Sequence, residues 1–441
     1  LTLVNCGDPE EYAVVQYQPM APPYIAACTP QGWDIELVDE NFEAFEPHRC
    51  SADLVAFSAL PRHVDRAYAH AAALKRRGIT TVGGGMHVSA IPEEAQEHFD
   101  AIVEGEAEPI WASVLADAAA GKLQRHYVSG FDQPLDDLGL PDRRYIHPGY
   151  KLASVSTSRS CNNRCSFCYM GSLENKAYRT IATETVVEDF RQVPQKAIVL
   201  TDANFLGFTA ADVQSRRELC EALIRARTGK LWAAQITADV VRHPDLLDLL
   251  YRAGCRMAFI GFESVGTGGL RSIAKDQYAD IDYTEVVREV QGKGIAVAAS
   301  LILGLDSHRR GYDRELMAWL DEARPLFLNL GVLTPMPNTE LYHLARDEER
   351  LLLDGIDLWK HMDKATHTLR YRNFSADEAS EMFRNVVRHH CRKRNILRNS
   401  LHLFFVRRFY TLSALYAAAA LRKRDRECTH VRPPARPGAA P

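Results

Sequence analysis

Three cysteines, Cys161, Cys165 and Cys168, fall within eight residues in the spacing C-x3-C-x2-C. With 10 cysteines in 441 residues, chance is a poor explanation for this arrangement. A structural zinc site usually takes four protein ligands, and no fourth Cys or His lies at zinc-site spacing, while a redox pair needs only two cysteines. Three thiolates can instead bind three irons of a [4Fe-4S] cluster and leave the fourth iron open.

The motif lies on the loop after a predicted strand, Leu152 to Ser156, and in this setting it resembles the radical S-adenosylmethionine enzymes. The resemblance implies that the three cysteines bind the cluster and that the open iron holds the amino and carboxylate groups of S-adenosylmethionine. The 5′-deoxyadenosyl radical released in that family abstracts hydrogen from the substrate. Phe167 matches the aromatic position near adenine, or else it only packs the loop. The alternative interpretations of the motif are a small structural zinc site and a loop with oxidised cysteines.

Polar residues follow two later strands of the same region. Asp202 and Asn204 match the segment that contacts the methionine moiety, and their oxygens could accept from its ammonium group. The alternative is that both residues cap a turn. Gly261, Glu263 and Ser264 resemble the Gly-x-Glu-Ser segment that binds the ribose hydroxyls, where a buried carboxylate needs a partner.

Two positions depart from the family pattern. Asn338 stands where a glycine is usual, and since Asn tolerates a left-handed backbone we expect the turn to be kept. Ala238 stands where many relatives carry an arginine. We therefore assign no contact with the sulfonium or the substrate at Ala238.

Small residues also end two strands of the N-terminal region. Ser58 closes one predicted strand, and Gly83, Gly84 and Gly85 follow another. In an open parallel sheet, ligands bind beyond the carboxyl ends of the strands. The glycines permit close approach of a ligand to the backbone, or they make a tight turn and nothing more.

The N-terminal region resembles the cobalamin-binding domain that accompanies some radical S-adenosylmethionine enzymes. Four stretches carry this resemblance: 22–27, 36–40, 84–87 and 103–108. The implied cobalamin-binding residues are Ser58, Gly83, Gly84, Gly85, His87, Glu104 and Gly105. Met86 alters the family's Gly-Gly-Pro-His turn, and the Asp-x-His-x-x-Gly signature of an axial histidine is absent, so we expect no cobalt ligand from that motif. The alternative is a domain that keeps this fold without the cofactor.

These motifs belong to two series of alternating strands and helices, so the fold class is α/β. The first series predicts strands over 1–6, 34–38, 53–58, 80–82 and 101–103, and the second predicts strands over 152–156, 197–201, 231–237, 257–261, 296–303 and 326–333. We predict a Rossmann-like cobalamin-binding domain (1–125), a linker (126–150), a partial (β/α)6 TIM-type barrel (151–345), a helical C-terminal cap (346–421) and a disordered tail (422–441). Ser375 followed by Glu378 predicts a capped helix in the cap.

Charge is uneven along the chain. The formal net charge is −4, but residues 384–441 contain 14 Lys and Arg against 2 Asp and Glu. The apolar stretch 401–421 contains Arg407 and Arg408 and is a poor membrane span. It could lie on an anionic membrane surface, or it could pack against its own domain. No RNA-binding module accompanies the charge, so we expect no nucleic-acid partner.

The isolated cysteines and the absence of a signal-peptide pattern predict a cytoplasmic enzyme, with membrane association through the C-terminal segment as a further expectation. The resemblances together predict a cobalamin-dependent C-methyltransferase acting on an unactivated carbon of a small natural-product or lipid-like substrate. A reductant such as flavodoxin or ferredoxin is implied. The first alternative is a radical rearrangement, cyclisation or oxidation without methyl transfer, with or without cobalamin. A non-catalytic metal-binding module is a distant alternative.

Overall fold

A computed structural model describes residues 1–8, 18–135, 138–173, 176–362 and 366–401. Two six-stranded parallel sheets form the framework of the molecule. The predicted α/β fold class is confirmed.

The first sheet has the strand order β2-β1-β3-β4-β5-β6, and every neighbouring pair is parallel. Its strands are β1 (Thr2–Asn5), β2 (Glu36–Asp39), β3 (Leu54–Ser58), β4 (Thr80–Gly84), β5 (Ala101–Gly105) and β6 (His126–Gly130). The order reverses between β1 and β3, which is the position where doubly wound sheets bind ligands. The sheet therefore has the Rossmann-like arrangement that the sequence predicts.

Helices cover both faces of this sheet. They are α1 (Ala21–Cys28), α2 (Val64–Lys75), α3 (Met86–Ala90), α4 (Pro92–His98) and α5 (Trp111–Ala119). Apolar residues of α2 and α4 pack on one face, and those of α1 and α5 pack on the other. The inner strands are thus covered on both faces, which explains why β1 and the first three residues of β5 are buried without alternation.

The region predicted as a linker begins with a strand. His126–Gly130 is β6, which pairs in parallel with β5, so the prediction that this part lacks strand structure is wrong. Its alternating pattern is short and its Val128 is exposed, as is common for an edge strand, so no apolar run marks it in the sequence.

The second sheet keeps its strands in chain order, β7-β10-β11-β12-β13-β14, all parallel. The strands are β7 (Ala153–Val155), β10 (Ala197–Leu200), β11 (Leu231–Ile236), β12 (Cys255–Glu263), β13 (Ala296–Leu303) and β14 (Phe327–Val332). This is the arrangement of a partial (β/α)6 barrel. All six predicted strands are present.

The barrel helices lie between these strands. They are α6 (Tyr169–Ser172), α7 (Thr183–Gln192), α8 (Ala210–Ala226), α9 (Pro244–Arg252), α10 (Thr267–Arg271), α11 (Tyr283–Gly292), α12 (Tyr312–Ala323) and α13 (Glu340–Asp347). A short antiparallel pair that the sequence did not predict, β8 (Ser158–Arg159) and β9 (Arg179–Thr180), brackets the cysteine loop. The loop is therefore held at both of its ends.

The C-terminal part contains three helices within the described residues: α14 (Gly355–Lys360), α15 (Ala376–His390) and α16 (Lys393–Leu401). Ser375 and Glu378 form the predicted capping box of α15. Leu358 and Trp359 of α14 pack into the core beneath the first sheet, and the Trp359 ring also lies 5.5 Å from that of Tyr342 on α13. The apolar stretch 402–421 and the tail lie outside the described residues. None of the described helices has the length and apolar character needed to cross a membrane.

Candidate cofactor site between the two sheets

A cavity of about 430 Å³ lies between the carboxyl ends of the two sheets. From the first sheet it is lined by Ser58, Gly84 and Gly85, and from the barrel by Tyr169 and Met170. Gly83 and Gly105 also line it. Parallel strands direct their carboxyl ends to one edge, so the two predicted ligand-binding edges face a common space.

Gly83 and Gly84 end β4, Gly85 follows it, and the three glycines differ in their surroundings. A Cβ at Gly83 would lie 2.2 Å from Cδ2 of Phe99, so this glycine is needed for packing. Gly85 has φ +96°, a conformation that L side chains rarely adopt. At Gly84, by contrast, the nearest atoms to a Cβ are the carbonyl oxygens of Phe57 and Val103, both 4.0 Å away. Gly84 is therefore the position where the absent side chain leaves open space rather than serving the fold.

The predicted cobalamin residues His87 and Glu104 do not line this cavity. His87 is completely buried, and its Nε2 lies 2.9 Å from Oε1 of Glu94. Glu104 bonds to Nε2 of His126 at 2.8 Å on the neighbouring strand. The structure therefore places both side chains in contacts within the first domain, because α3 turns His87 inward from the glycine turn.

Backbone hydrogen bonds hold the cysteine loop against the barrel. Ser166 donates to the carbonyl of Ile273 and accepts from the N–H of Leu341. Gly171 lies so close that a Cβ there would be 2.4 Å from the carbonyl oxygen of Cys165. The loop conformation therefore depends on neighbours more than 100 residues away in the chain.

The three thiols are free, and each is largely withdrawn from solvent. Burial raises the pKa of all three thiols, that of Cys165 to about 12, and Cys168 raises the pKa of Cys161 and Cys165 further. The Lys275 ammonium opposes this effect on Cys165. Lys176 donates to the carbonyl oxygens of Asn163 and Met170 in the same loop. The thiols thus lie together beside two cations.

This donor set fits a [4Fe-4S] cluster. A cluster with three thiolate ligands carries net negative charge, which two neighbouring lysines would offset. Each thiol would bind a different iron, so the thiols need not converge on one point. In the part of the chain that the structure describes, no group of three His, Cys, Asp or Glu side chains is arranged to hold a metal ion.

Glu263 and Lys275 form a buried ion pair next to this loop. Lys275 Nζ lies 2.7 Å from Oε1 of Glu263 and donates to the carbonyl of Gly261 at 2.6 Å. Although burial opposes charge on the ammonium, Glu263 raises its pKa. Glu263 has φ +61° at the end of β12. Within the described residues its Oε2 accepts no hydrogen bond from the protein.

The other polar positions of the barrel are already bonded to protein. Asp202 accepts from the N–H and hydroxyl of Thr157 at 2.7 and 2.5 Å and from the N–H of Ser158 at 3.0 Å. Asn204 accepts from the N–H of Leu206 and donates to the carbonyl of Gly207. Both side chains are almost fully buried. The geometry therefore favours the turn-capping alternative over contacts with the methionine moiety.

Ser264 belongs to a buried network behind the strand ends. Its Oγ lies 3.0 Å from Nε2 of His308 and 2.9 Å from the hydroxyl of Tyr312. His308 also accepts from the N–H of Gly304 at the end of β13. Ser264 thus ties the loops after two neighbouring strands together, and its hydroxyl is not free to bind ribose.

Phe167 and Asn338 lie at the same end of the barrel. Phe167 packs against the apolar residues that follow β13 and β14, including Leu305 and Leu333, so its contacts suit either role given above. Asn338 has φ +55°, which confirms that the turn is kept with a left-handed Asn.

Lys275, Arg159 and Tyr169 were not predicted as site residues from the sequence. Lys275 and Arg159 are isolated basic residues whose partners are distant in the chain. Tyr169 follows Cys168 directly and lines the cavity with a buried ring, so it connects the cysteine loop to the space below the glycine turn. Its position next to a motif cysteine was the one available signal.

Two family models match the chain. Residues 155–339 match the radical SAM superfamily, and residues 13–115 match the B12 binding domain. Residues 155–339 are therefore a radical SAM domain, and residues 13–115 are a B12 binding domain. It is an enzyme, and its cofactors are a [4Fe-4S] cluster, S-adenosylmethionine and cobalamin, as predicted.

Curated relatives cover most of the chain. The bacteriochlorophyllide d C-8(2)-methyltransferase of Chlorobaculum tepidum is 25% identical over 80% of this chain and 81% of that protein. The hopanoid C-2 methylase of Rhodopseudomonas palustris is 26% identical over 75% of this chain and 64% of that protein.

Solved structures share the fold. The radical S-adenosylmethionine methyltransferase TsrM of Kitasatospora setae, with cobalamin and a [4Fe-4S] cluster bound, has a TM-score of 0.65 at 16% identity, covering 79% of this chain and 77% of that one. The cobalamin-dependent S-adenosylmethionine radical enzyme OxsB, with aqua-cobalamin bound, has a TM-score of 0.68 at 13% identity, covering 95% and 72%.

Proposed function

We propose that this enzyme is a cobalamin-dependent radical C-methyltransferase that acts on an unactivated carbon of a small apolar substrate. Relatives named as methyltransferases of bacteriochlorophyllide and hopanoid support the reaction class. When bound, the cluster with S-adenosylmethionine supplies a hydrogen-abstracting radical, and cobalamin supplies the methyl group.

The single observation that carries this proposal is the shared cavity. The turn at Gly84 and Gly85 and the residues after Cys168, Tyr169 and Met170, line the same space. A methyl donor and a radical source must both reach the substrate carbon, so their binding residues must face one space. The cysteine loop reaches this cavity through Tyr169 and Met170, while the three cysteines and Glu263 do not themselves line it.

The residues would divide the binding between them. We propose that Cys161, Cys165 and Cys168 bind the cluster and that Glu263 accepts from the ribose of S-adenosylmethionine through Oε2. Gly84 would let cobalamin approach the backbone of the first sheet. Lys275 would hold Glu263 in place through its 2.7 Å contact.

The cluster assignment is tested at Cys165. Cys165→Ala should lose the normal iron–sulfur absorbance and the formation of 5′-deoxyadenosine after anaerobic reconstitution, because two thiolates cannot hold the cluster as three do. Cys255→Ala is a suitable control, since Cys255 is a fully buried thiol in the barrel core away from the loop. Full activity in the Cys165 variant would exclude the assignment.

Methyl transfer itself is tested with products. The reconstituted enzyme should convert S-adenosylmethionine with a labelled methyl group into a substrate that carries the label on carbon, as measured by mass spectrometry. Equilibrium dialysis of the wild-type protein should show retention of hydroxocobalamin. If no cobalamin is retained, methyl transfer is excluded and a cobalamin-free radical reaction takes its place.

A radical cyclisation without methyl transfer is the second candidate. The anaerobic magnesium-protoporphyrin IX monomethyl ester cyclase of Cereibacter sphaeroides is 25% identical over 60% of this chain. Formation of a product with no added methyl group, in the same mass spectra, would favour this candidate.

We further propose that the apolar substrate is reached at an anionic membrane surface. Leu397 and Leu401 of α16 are exposed and lead into the basic, apolar C-terminal segment. Basic residues near such a surface contribute about 1 kcal/mol each. Wild-type protein should float with anionic but not neutral liposomes and lose this on truncation before Leu401. If the protein floats with neither anionic nor neutral liposomes, the proposal is excluded. A soluble small-molecule substrate would then be favoured.

The reaction also needs an electron donor. We propose a flavodoxin or ferredoxin as the reductant. Formation of 5′-deoxyadenosine should depend on the added reductant and should stop when it is omitted.

A further inference from the structure

Four charged side chains join the two domains at the rim of the cavity. Glu106 and Glu108 follow β5 of the first sheet, and Arg159 and Arg179 lie on the β8–β9 pair beside the cysteine loop. We call these four residues the interdomain clamp. All four side chains are at most 17% exposed.

The contacts within the clamp are close and directional. Arg179 donates to both carboxylate oxygens of Glu106, at 2.7 and 2.8 Å. Arg159 donates to Glu108 at 2.5 Å and lies 3.7 Å from Glu106. A guanidinium fork that binds a carboxylate through two parallel bonds fixes orientation as well as distance, which a lysine cannot do.

Further contacts fix each arginine. The Arg159 guanidinium lies 5.2 Å from the ring centre of Tyr24 on α1. Arg179 donates to the carbonyl of Gln133 at 2.6 Å and to the hydroxyl of Ser160 at 3.3 Å. Ser160 has φ +68° and directly precedes Cys161. The clamp is therefore connected to the first cysteine of the motif through a backbone that has little freedom.

The clamp is close to both cofactor sites in the chain. Glu106 directly follows Gly105, which lines the cavity, and Arg159 is two residues before Cys161. Glu106, Glu108 and Arg159 themselves line the cavity. A rotation of one sheet against the other would break these contacts. Small errors of distance are costly when two groups must act on one substrate atom.

We infer that the clamp of Glu106, Glu108, Arg159 and Arg179 is a positioning device that sets the distance between the bound cobalamin and the iron–sulfur cluster. The inference rests on the two cofactors and not on methyl transfer. The clamp residues are positioning residues, since they act through the loop and the turn that they join.

A second group of contacts, made by Arg143 of the predicted linker with residues of both domains, provides a matched control. Arg143 contacts Asp189 of α7 at 2.6 and 2.8 Å and also bonds to Gln18 and the carbonyl of Ser154. None of these four residues lines the cavity. Loss of Arg143 should therefore lower stability without changing the geometry between the cofactors.

The experiment measures the magnetic coupling between cob(II)alamin and the reduced cluster in reconstituted protein by pulsed EPR. Wild-type protein and Arg143→Met should show one defined coupling. Arg179→Met should lose it and give a broad distribution, and should bind hydroxocobalamin about tenfold more weakly. Arg179→Lys keeps the positive charge but cannot form the two parallel bonds of a guanidinium. The width of its coupling distribution should therefore lie between those of the wild type and Arg179→Met. In cofactor-free protein, hydrogen exchange of residues 156–162 should be faster in Arg179→Met than in Arg143→Met.

The outcomes separate the two proposals. Wild-type coupling in folded Arg179→Met, or the same loss of coupling in Arg143→Met, would overturn the clamp inference and leave the proposed function standing. If wild-type protein does not bind hydroxocobalamin, both are overturned. Should Arg179→Met fail to fold, Glu108→Gln removes one charge of the clamp and must broaden the coupling in the same way.

Discussion

At the scale of single residues, the bonding of each polar atom separates ligand-binding positions from structural ones. Asp202, Asn204 and Ser264 use their polar atoms within the protein, whereas Glu263 keeps one carboxylate oxygen available within the described residues. Buried polar groups without a partner are costly, so a group already bonded is a poor site for a new ligand. Residue type and motif position could not make this distinction.

Gly84 gives a prediction at this scale. Gly84→Val should fold with near wild-type stability but bind hydroxocobalamin much more weakly, because its side chain enters the open space below the turn. Equilibrium dialysis measures the binding, and thermal unfolding measures the stability.

Gly83→Ala is the matched comparison. A Cβ there would overlap the ring of Phe99, so the variant should lose about 1 to 3 kcal/mol of stability through overpacking. Undiminished cobalamin binding in Gly84→Val would show that the turn does not contact the cofactor.

At the scale of elements, one buried histidine connects the ends of β12 and β13 with α12. Because Nδ1 of His308 accepts from Gly304, the neutral ring carries its proton on Nε2 and donates to Ser264. The ring stacks on Tyr312 with a centroid distance of 3.6 Å. A single neutral side chain thereby holds three segments together at this end of the barrel.

This histidine should make the barrel sensitive to acid. Burial lowers the pKa of His308 to about 3, against about 6.5 in an unfolded chain. Between these pH values only the unfolded state binds the proton. The contribution of neutral His308 to the free energy of unfolding is therefore complete above pH 6.5 and is lost as the pH falls towards 3. The loss should be about 1.4 kcal/mol per pH unit.

Urea unfolding at several pH values tests this effect. His308→Gln should be less stable than wild type at pH 7.5, and its stability should fall less steeply below pH 6.5. Parallel pH profiles for the two proteins would contradict the assignment of this slope to His308.

At the scale of the whole molecule, the C-terminal part completes the N-terminal domain. Trp359 of α14 is fully buried against α2, and its Nε1 donates to Oε2 of Glu94 at 3.3 Å. Glu94 also accepts from Tyr68 and contacts His87. The cobalamin-binding domain is thus closed by a helix that follows the barrel in the chain.

Removal of this contact should affect the first domain selectively. Trp359→Ala should cost about 3 to 5 kcal/mol and weaken hydroxocobalamin binding, because it leaves a cavity beneath the first sheet. Trp359→Phe should lose less, since it keeps most of the packing. In Trp359→Ala, limited proteolysis should cleave the first domain earlier in time than the barrel. Equal protection of both domains from the protease would contradict this role of α14.

The sequence by itself determined what depends on neighbours in the chain. The three cysteines lie within eight residues, the capping box of α15 spans four, and all six barrel strands are apolar runs. Local spacing and periodicity fix such features, and the family resemblance that they carry is confirmed.

Only the tertiary structure decided which polar groups meet across the chain. The partners within the clamp are 51 and 73 residues apart, Asp202 lies 45 residues from Thr157, and Trp359 lies 265 residues from Glu94. No local sequence pattern indicates which of these residues will meet. A charged or polar residue gives the same sequence signal whether it faces solvent, a ligand or a buried partner. Their roles follow from burial and bonding, which exist only once both sheets are packed together.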